Sequence, residues 1–396
     1  MRSRYRAIIA EKPHSAEKVG TDPTMRRHKT NHEKSVATSA SPCLFLGPLW
    51  LLLLATDARL LAQPPATNTP LSTASNSQKE QLRFELTAPA MGSHIDFVVY
   101  SPTELQAKTA IDAGLAEIER LSSILSNYDA NSEISKLCSA QMDDWSPLSP
   151  DLASVLEHSR RWHTLSDGKF DITVGPLTQL WRTSRKKKQL PTSIEIAEAK
   201  SRCGWSSVKL KLASNDQGHS FTNASLSKSN MVLDLSGLAV GYIVDAAFEK
   251  MAAAGSRSIL INAGGDIRVG DSPPGSQGWR ITIAGLGKQS PPLSMQRISN
   301  CAVTTSGDLN QYLEVEGRRY SHFIEPESGA PIERRQSVTA IAATTVDADA
   351  GATALAILGA QRASELFEEM PLQYAMIMES SQSDLSPIRT RWLTKQ

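Results

Sequence analysis

The spacing of apolar residues changes along the chain and predicts a fold in which strands and helices are intermixed. Apolar and polar residues alternate over 83–86 and 95–100, on either side of a turn at Met91-Gly92-Ser93. Alternation places the apolar side chains on one face of a strand, so two strands joined by this turn are predicted. Over 104–125 the apolar residues instead recur every three or four positions, which predicts a helix with one buried side.

The same two spacings continue towards the end of the chain. A second helix is predicted over 152–165, with Asp151 as its N-cap and Gly168 just beyond its end. Further strands are predicted at 231–235, 257–262, 279–284, 320–325, 337–345 and 373–379, and further helices at 238–254, 349–358 and 361–369. Intermixed elements of this kind predict an α+β or mixed α/β fold.

The beginning of the chain is patterned differently and is predicted to lie outside the fold. A basic, polar segment precedes an apolar run at 43–55, which is short for a membrane span but suits the hydrophobic region of a signal peptide. We therefore predict a signal or targeting segment over 1–62, a flexible Pro/Ser/Thr-rich linker over 63–80 and a folded domain over 81–396. The expected location is the periplasm or the extracytoplasmic face of the inner membrane. An uncleaved anchor, which would bring membrane association through the N-terminus, is the alternative.

Composition narrows the classes of function. A chain of 396 residues, 40% of them hydrophobic, can bury the core of one large domain or of two closely packed subdomains. Its formal net charge of +1 argues against a nucleic-acid-binding surface. The four cysteines have neither CxxC pairs nor the spacing of a metal site, so neither a zinc site nor a disulfide framework is predicted.

Asp171 is the first candidate for a chemical role. It lies between Phe170 and Ile172, where a carboxylate is costly to bury unless it is hydrogen-bonded or paired. It could contribute to a ligand site together with Lys169. The alternative is a structural cap on the turn at Gly175-Pro176.

Two further stretches place glycine and Asp where an apolar strand ends. Asp234 precedes Gly237 at a predicted strand-to-helix junction, where free backbone N–H groups suit a phosphate or carboxylate. Asp245, inside the following helix, is more simply explained as part of a solvated face. Gly264-Gly265-Asp266 follows another apolar strand, and its simpler explanation is a glycine turn whose Asp satisfies backbone donors.

The C-terminal part of the chain holds a candidate metal site and a candidate base. Asp349 and Thr353 are four residues apart, so they share one side of a helix, which is expected to be at the surface. A carboxylate and a hydroxyl oxygen suit Mg2+. Water and phosphate oxygens would complete the coordination shell of the ion. A helix cap is the competing explanation. His322 is a candidate base, or else a core histidine.

Taken together, these stretches resemble the ApbE-like FAD:protein FMN transferase family over 91–359, in the family's order. The matching motifs are Met91-Gly92-Ser93, Ser126-Asn127-Tyr128, Ser132-Glu133-Ile134, 170–177, 234–237, Gly264-Gly265-Asp266, Thr305-Ser306-Gly307, Ser321-His322 and Asp349 with Thr353. Each motif alone is weak, whereas their occurrence in order is specific. The resemblance implies a two-subdomain fold with the FAD and Mg2+ site in the cleft between the subdomains.

The resemblance also implies a role for individual residues. The positions that match the FAD pocket are Met91, Tyr128, Lys169, Phe170, Asp171, Asp234, Val240 and Ile324. Gly237, through its carbonyl oxygen, and the side chains of Asp349 and Thr353 match the Mg2+ ligands. His322 matches the functionally important histidine of the family.

The activity implied is the Mg2+-dependent transfer of FMN from FAD to a Ser or Thr hydroxyl of another protein, with release of AMP. The expected acceptor carries a motif similar to Asp-x-x-(Ser/Thr)-Gly-Ala-Thr. A Mg2+-dependent FAD pyrophosphatase and a non-catalytic FAD-binding homologue are the alternatives. Two departures from the family pattern are relevant to these alternatives. Val240 replaces the usual Lys, and Glu325 replaces the usual Asp.

Overall fold

The described part of the chain mixes helices with strands, as the sequence predicts. The computed structural model describes residues 6–8, 80–214, 217–218, 220–283, 285–286, 294–309, 311–380 and 388–395. Apart from a short strand at Arg6–Ile8 and from Glu80, the targeting segment 1–62 and the linker 63–80 lie outside these ranges, and both stay predictions. The described residues belong to one compact unit.

Seven α-helices are found in the described ranges. They are α1 (Glu104–Leu125), α2 (Glu133–Ser139), α3 (Pro150–Leu165), α4 (Gly175–Lys187), α5 (Ser193–Ser201), α6 (Ala239–Ala253) and α7 (Thr345–Leu366). Short 3-10 turns lie at Ile172–Val174, Trp205–Ser207 and Phe367–Glu369. Among the residues described, no helix combines the length and the apolar character needed to cross a membrane.

The strands form one large sheet and three small ones. The strands are β1 (Arg6–Ile8), β2 (Leu82–Ala90), β3 (Ser93–Ser101), β4 (Ser146–Pro147), β5 (Val208–Ser214), β6 (Ser220–Leu226), β7 (Ile259–Ala263), β8 (Asp266–Val269), β9 (Trp279–Ile283), β10 (Ser294–Ile298), β11 (Cys301–Gly307), β12 (Tyr312–Val315), β13 (Arg318–Ser321), β14 (Arg335–Ala342), β15 (Leu372–Ser380) and β16 (Arg389–Thr394). The large sheet has the order β1-β2-β3-β7-β8-β11-β14-β15-β16, and its neighbouring strands are antiparallel. Strands β9 and β10 pair, as do β12 and β13, and β4, β6 and β5 form the third small sheet.

Most of the predicted elements are confirmed, but the predicted N-cap of the second helix and the predicted strand at 231–235 are wrong. Strands β2 and β3 flank the turn at Met91, and α1 has the predicted bounds. The N-cap of α3 is Ser149 rather than Asp151, because the Ser149 hydroxyl accepts the N–H of Leu152. The Asp151 carboxylate instead binds the Arg120 guanidinium.

Residues 231–235 form no strand, although they are apolar enough for one. The Asn127 side chain donates to the Leu233 carbonyl oxygen and accepts the N–H of Leu235. The N–H of Asp234 donates to the carbonyl oxygen of Ile172. A side chain and a loop therefore satisfy the backbone groups that a neighbouring strand would otherwise bind.

Two apolar clusters organise the packing. The main core packs α1, α6 and α7 against the large sheet. A smaller cluster joins α4 and α5 to the β12–β13 hairpin through Leu177, Trp181, Leu313 and Tyr320. The candidate site residues come from both clusters, since Asp349 lies on α7 and Ile324 belongs to the smaller cluster.

The close approach of α6 and α7 depends on Gly241. A Cβ at this position would lie 2.6 Å from the backbone oxygen of Thr345. We expect Gly241→Ala to lower the free energy of unfolding by about 1–3 kcal/mol, because rigid backbone must move to admit the methyl group. Urea unfolding followed by circular dichroism measures the change.

Gly114→Ala is the matched control, since Gly114 also lies within a helix. A Cβ there would lie 2.9 Å from Cγ of the Met251 side chain, which can move. Alanine also favours a helix over glycine by about 1 kcal/mol. We expect this control to change stability little. Equal losses in the two variants would contradict the role given to Gly241.

Candidate active site

Three neighbouring chambers that share lining residues form one cavity in the described part of the chain. We call them the carboxylate chamber, which contains Asp349, the apolar chamber, which contains Val240, and the arginine chamber, which contains Arg185. Four residues line all three chambers, which shows that the chambers join: Thr178, Asp234, Ser236 and Gln311.

Every site residue predicted from the sequence lines this cavity. Those in the carboxylate chamber are Lys169, Phe170, Asp171, Asp234, Gly237, His322, Ile324, Asp349 and Thr353. Those in the apolar chamber are Met91, Tyr128, Asp234 and Val240. The structure thus brings the predicted residues together, while their roles stay predictions.

Asp349 lies in the carboxylate chamber on a buried part of α7. The prediction of a surface helix is wrong here, because α7 packs against β11, β14 and α6 and leaves Asp349 only 5% exposed. One carboxylate oxygen of Asp349 accepts the N–H of Gly241 at 3.3 Å. A buried carboxylate with this single backbone donor is poorly compensated by the protein alone.

Thr353 and Gly237 lie together beside Asp349. The hydroxyl of Thr353 is 3.3 Å from that of Ser306. A Cβ on Gly237 would come within 3.3 Å of the Thr353 methyl carbon and 3.1 Å of the Phe170 ring. Glycine at position 237 therefore lets the backbone approach Thr353, which a larger residue would obstruct.

Asp266 lines the carboxylate chamber in addition to Asp171, Asp234 and Asp349, and it is not among the site residues predicted from the sequence. The sequence suggested that Asp266 accepts the backbone N–H groups of the turn at Gly264-Gly265. The side chain of Asn262 instead accepts the N–H of Gly265. Burial raises the pKa of Asp266 to about 6. Burial raises the pKa of Asp349 well above its usual range, and the neighbouring charge of Asp266 adds to this effect.

The donor set of this chamber fits a divalent cation. In the described ranges, neither Asp266 nor Asp349 forms an ion pair with Lys or Arg, whereas nearby Asp245 pairs with Arg268. The same ranges hold no group of three or more His, Cys, Asp and Glu side chains arranged for a metal. A carboxylate, a hydroxyl and a backbone carbonyl are nevertheless oxygen donors of the kind Mg2+ takes when substrate and water supply the rest.

Lys169 lies in the same chamber and forms an ion pair with Glu325, one of the two family departures. Its ammonium donates to the Glu325 carboxylate at 2.6 Å and to Glu327 at 3.2 Å. Burial raises the pKa of Glu325, but the hydrogen bonds from Lys169 and Ser328 outweigh it and bring the pKa down to about 2. Glu325 is thus charged at neutral pH and holds Lys169 in place.

Asp171 both lines the carboxylate chamber and serves as a structural cap. It accepts the N–H of Thr173 at 2.8 Å and so caps the 3-10 turn that leads into α4 at Gly175. Burial raises its pKa. The capping alternative is thus confirmed, although for the turn at Ile172–Val174.

Asp245 also has a structural role, and the expectation of a solvated face is wrong. Its carboxylate accepts the N–H groups of Thr345 and Val346, both at 2.9 Å, at the start of α7. This contact fixes the end of the helix that carries Asp349.

His322 is half-buried on the boundary between the carboxylate and arginine chambers. Its Nδ1 is 3.2 Å from the carbonyl oxygen of Gln311, and a carbonyl can only accept, so Nδ1 carries the proton. Burial lowers the pKa of His322 to about 4, and the positive charge of Arg185 contributes. The ring is therefore neutral near pH 7, and its Nε2 can accept a proton.

His322 should make the stability of the protein fall with decreasing pH. Its folded pKa of about 4 lies below the ordinary value of 6.5, so the unfolded chain binds a proton here that the folded chain does not. Stability from a neutral His322 is therefore lost as the pH falls from 6.5 towards 4. We expect His322→Gln to lose less stability than the wild type between about pH 7 and about pH 5, as measured by urea unfolding.

His94→Gln is the control for this measurement, because His94 is exposed on β3. This control should follow the wild type. Equal pH dependence in the wild type and in His322→Gln would contradict the burial effect at His322.

The apolar chamber is lined by side chains at the start of α6 and around the β2–β3 turn. Val240 lies in the first turn of α6, and Met91 lies in the turn. Leu125, Val232, Leu235, Ala239 and Ile243 add to the apolar lining. Tyr128 stands at the rim, 80% exposed, with its ring centroid 5.4 Å from the Arg182 guanidinium. Such a chamber suits a flat aromatic group, and a valine at 240 fits its apolar character.

The chain is similar to proteins of one known family. The model of the ApbE family matches residues 91–378. The chain is 29% identical to the FAD:protein FMN transferase of Haemophilus influenzae over 322 residues, which cover 76% of this chain and 88% of that protein. It is 31% identical to the FAD:protein FMN transferase of Salmonella typhimurium over 264 residues, which cover 65% of this chain and 74% of that protein.

Solved structures show the same fold. The apo form of the flavinyl transferase ApbE from Pseudomonas stutzeri aligns with a TM-score of 0.68 and 25% identity, over 80% of this chain and 96% of that one. The ApbE protein of Thermotoga maritima aligns with a TM-score of 0.66 and 26% identity, over 78% of this chain and 96% of that one.

Proposed function

The chain belongs to the ApbE family, and from this premise we propose that it is a Mg2+-dependent FAD:protein FMN transferase. It would transfer FMN from FAD to a Ser or Thr hydroxyl of an acceptor protein and release AMP. The curated relatives described above carry the name of this transferase. The finer assignments below are inferred from the cavity.

The observation that carries the proposal is the pair of carboxylates formed by half-buried Asp266 and buried Asp349, in a chamber that His322 also lines. Neither carboxylate has a cationic partner among the described side chains, so the chamber favours a cation. Asp349, Thr353 and the Gly237 carbonyl would hold Mg2+. When bound, Mg2+ would neutralise negative charge on the diphosphate of FAD and on the departing AMP.

The protein's own residues would then bind FAD along the cavity. Asp234 and Lys169 line the carboxylate chamber, and Lys169 supplies a positive charge that Glu325 holds in position. The apolar chamber, with Met91 and Val240, would take one of the two aromatic ring systems of FAD. FAD would thus lie across both chambers, with its diphosphate at the carboxylate end.

His322 would act as the base for the acceptor hydroxyl. Its neutral Nε2 would take the hydroxyl proton while the acceptor oxygen forms a bond to the phosphorus of the FMN part. The bond that breaks joins this phosphorus to the oxygen that leaves with AMP. The products are an FMN phosphoester on the acceptor and AMP.

The proposed acceptor rests on the family resemblance, and the proposed location rests on the N-terminal sequence. We propose an acceptor protein with a motif similar to Asp-x-x-(Ser/Thr)-Gly-Ala-Thr. The apolar run at 43–55 supports export to the periplasm or to the outer face of the inner membrane, with the N-terminus as the segment that would associate with the membrane.

The proposal is tested by incubating the full chain with FAD, Mg2+ and a purified protein that carries this acceptor motif. Flavin fluorescence in a denaturing gel and chromatography of AMP are measured together. We expect a fluorescent acceptor band and an equal amount of AMP, both prevented by EDTA or by Thr→Ala in the acceptor. AMP without a fluorescent acceptor would indicate a pyrophosphatase, and bound FAD with neither product would indicate a non-catalytic protein.

A further inference from the structure

Helix α4 presents a second polar surface to the cavity besides the residues assigned above. Thr178, Arg182 and Arg185 are spaced by four and three residues, so they lie on one face of α4, and all line the arginine chamber. The neighbouring face carries buried Leu177 and Ser184. The two guanidinium groups are therefore directed into the cavity by the way α4 packs.

Neither arginine has an acidic partner among the residues that the structure describes. Arg182 lies against the ring of Tyr128, and burial together with the nearby Arg182 charge lowers the pKa of Arg185. Asp234 lines the same chamber, but its two oxygens accept from the Thr178 hydroxyl at 2.7 Å and the Ser236 N–H at 3.1 Å. Two like charges held together in this way favour an incoming anion.

The arginine chamber is separate from the end of the cavity assigned to Mg2+. Asp349 and Thr353 line the carboxylate chamber but not the arginine chamber, while the two arginines do not line the carboxylate chamber. His322 lines both. If the FAD diphosphate lies at the metal end, the arginine chamber offers the acceptor hydroxyl a separate route to His322.

We propose that Arg182 and Arg185 bind a carboxylate of the acceptor protein, so that the acceptor is recognised as an acidic segment. This inference rests on the proposed function. Guanidinium groups bind carboxylates through paired hydrogen bonds, which fix orientation as well as affinity. The exposed Lys186, Lys187 and Lys188 at the end of α4 extend the positive surface and would steer an acidic segment towards it.

The test compares the binding of two fluorescein-labelled peptides to the full chain in the presence of FAD and Mg2+. Both contain the proposed acceptor motif with Ala in place of the acceptor Thr, so that no transfer occurs. One carries Asp and Glu residues around this site, and the other carries Asn and Gln at the same places. Fluorescence anisotropy gives each Kd, and flavin fluorescence quenching gives the Kd of FAD.

We expect the acidic peptide to bind more tightly, with an affinity that falls as salt is added. Arg182→Gln with Arg185→Gln should weaken its binding by about ten- to a hundredfold, because charge-assisted hydrogen bonds are lost. Lys186→Gln with Lys187→Gln removes the same charge from the exposed side of α4 and should change Kd much less. Arg185→Glu should restore binding for a peptide that carries Lys in place of the acidic residues.

Three results would overturn the inference. Equal binding of the two peptides to the wild type would show that acidity is not recognised. If the Lys pair and the Arg pair of substitutions weakened peptide binding equally, the arginines would contribute only general electrostatic attraction. A loss of FAD affinity in the Arg variants, with peptide binding kept, would assign them to the FAD phosphates. Since peptide binding needs no chemistry, a failure of the proposed transfer would be seen separately, in the assay of AMP and fluorescent acceptor.

Discussion

Asp349→Asn is expected to abolish Mg2+-stimulated release of AMP from FAD, with a loss of at least about a hundredfold. Residues that only support a metal ligand typically cost ten- to a hundredfold when replaced, so a direct ligand should cost at least as much. Asparagine keeps the size of the side chain and still accepts the Gly241 N–H, but it removes the negative charge. The measurement is the rate of AMP formation as a function of Mg2+ concentration.

The same variant should not unfold more easily than the wild type. Asp349 is buried beside Asp266, and burial of a charged carboxylate without a cationic partner costs stability. In the absence of Mg2+, the neutral amide removes this cost, so urea unfolding should show equal or greater stability. A loss of activity with retained stability separates a role in metal binding from a role in folding.

Asp347→Asn is the matched control on the same helix. Asp347 accepts from the Trp162 indole N–H at 3.0 Å and from the Thr344 hydroxyl, and it lines none of the three chambers. Its replacement removes an equal charge two residues away, so AMP release should remain. Normal Mg2+-dependent activity in Asp349→Asn would place the ion elsewhere in the cavity.

The contrast between Asp349 and Asp266 shows how far the sequence could predict the site. Asp349 and Thr353 are neighbours on any helix, so their spacing alone predicts that they act together. Asp266 lies on β8, and its position beside Asp349 depends on the order of strands in the large sheet and on how α7 packs over β11 and β14. Such long-range packing leaves no periodic signal in the chain.

The arginine chamber was missed for a different reason. No helix was predicted over 175–187, the segment that forms α4. The apolar residues of α4 pack against the β12–β13 hairpin in the smaller cluster. When no helix is predicted, Arg182 and Arg185 are simply two residues of a basic stretch. Only the helix places them on the same face. The incorrect strand at 231–235 has a related cause, since the Asn127 side chain replaces a strand partner and apolar character alone does not reveal this.

His322→Gln is expected to remove FMN transfer while leaving FAD binding unchanged. Loss of a general base typically costs about a hundred- to ten-thousandfold in rate. Glutamine can still donate to the Gln311 carbonyl, but its amide cannot take a proton from the acceptor hydroxyl near neutral pH. Single-turnover transfer to the acceptor protein measures the rate, and quenching of flavin fluorescence measures FAD affinity.

A second histidine provides a close control for His322. The Nδ1 of His163 lies 3.2 Å from the carbonyl oxygen of Phe170, the same kind of contact that His322 makes with Gln311, and its ring stacks on Trp205. His163 lines none of the three chambers, so His163→Gln should keep most of the transfer rate. An equal loss in the two variants would mean that both histidines act through local structure.

The pH dependence of the transfer rate distinguishes a base from a residue that only positions the acceptor. The pKa of His322 is lowered to about 4, so the neutral form that accepts a proton persists well below the ordinary value of 6.5. Transfer by the wild type should therefore show no decline centred near pH 6.5. The residual rate of His322→Gln should instead rise with pH, because a hydroxyl without a base must lose its proton to solvent. A wild-type transfer rate that declines as the pH falls through 6.5 would show that His322 titrates normally in the working enzyme. The inferred effect of burial on its pKa would then be wrong.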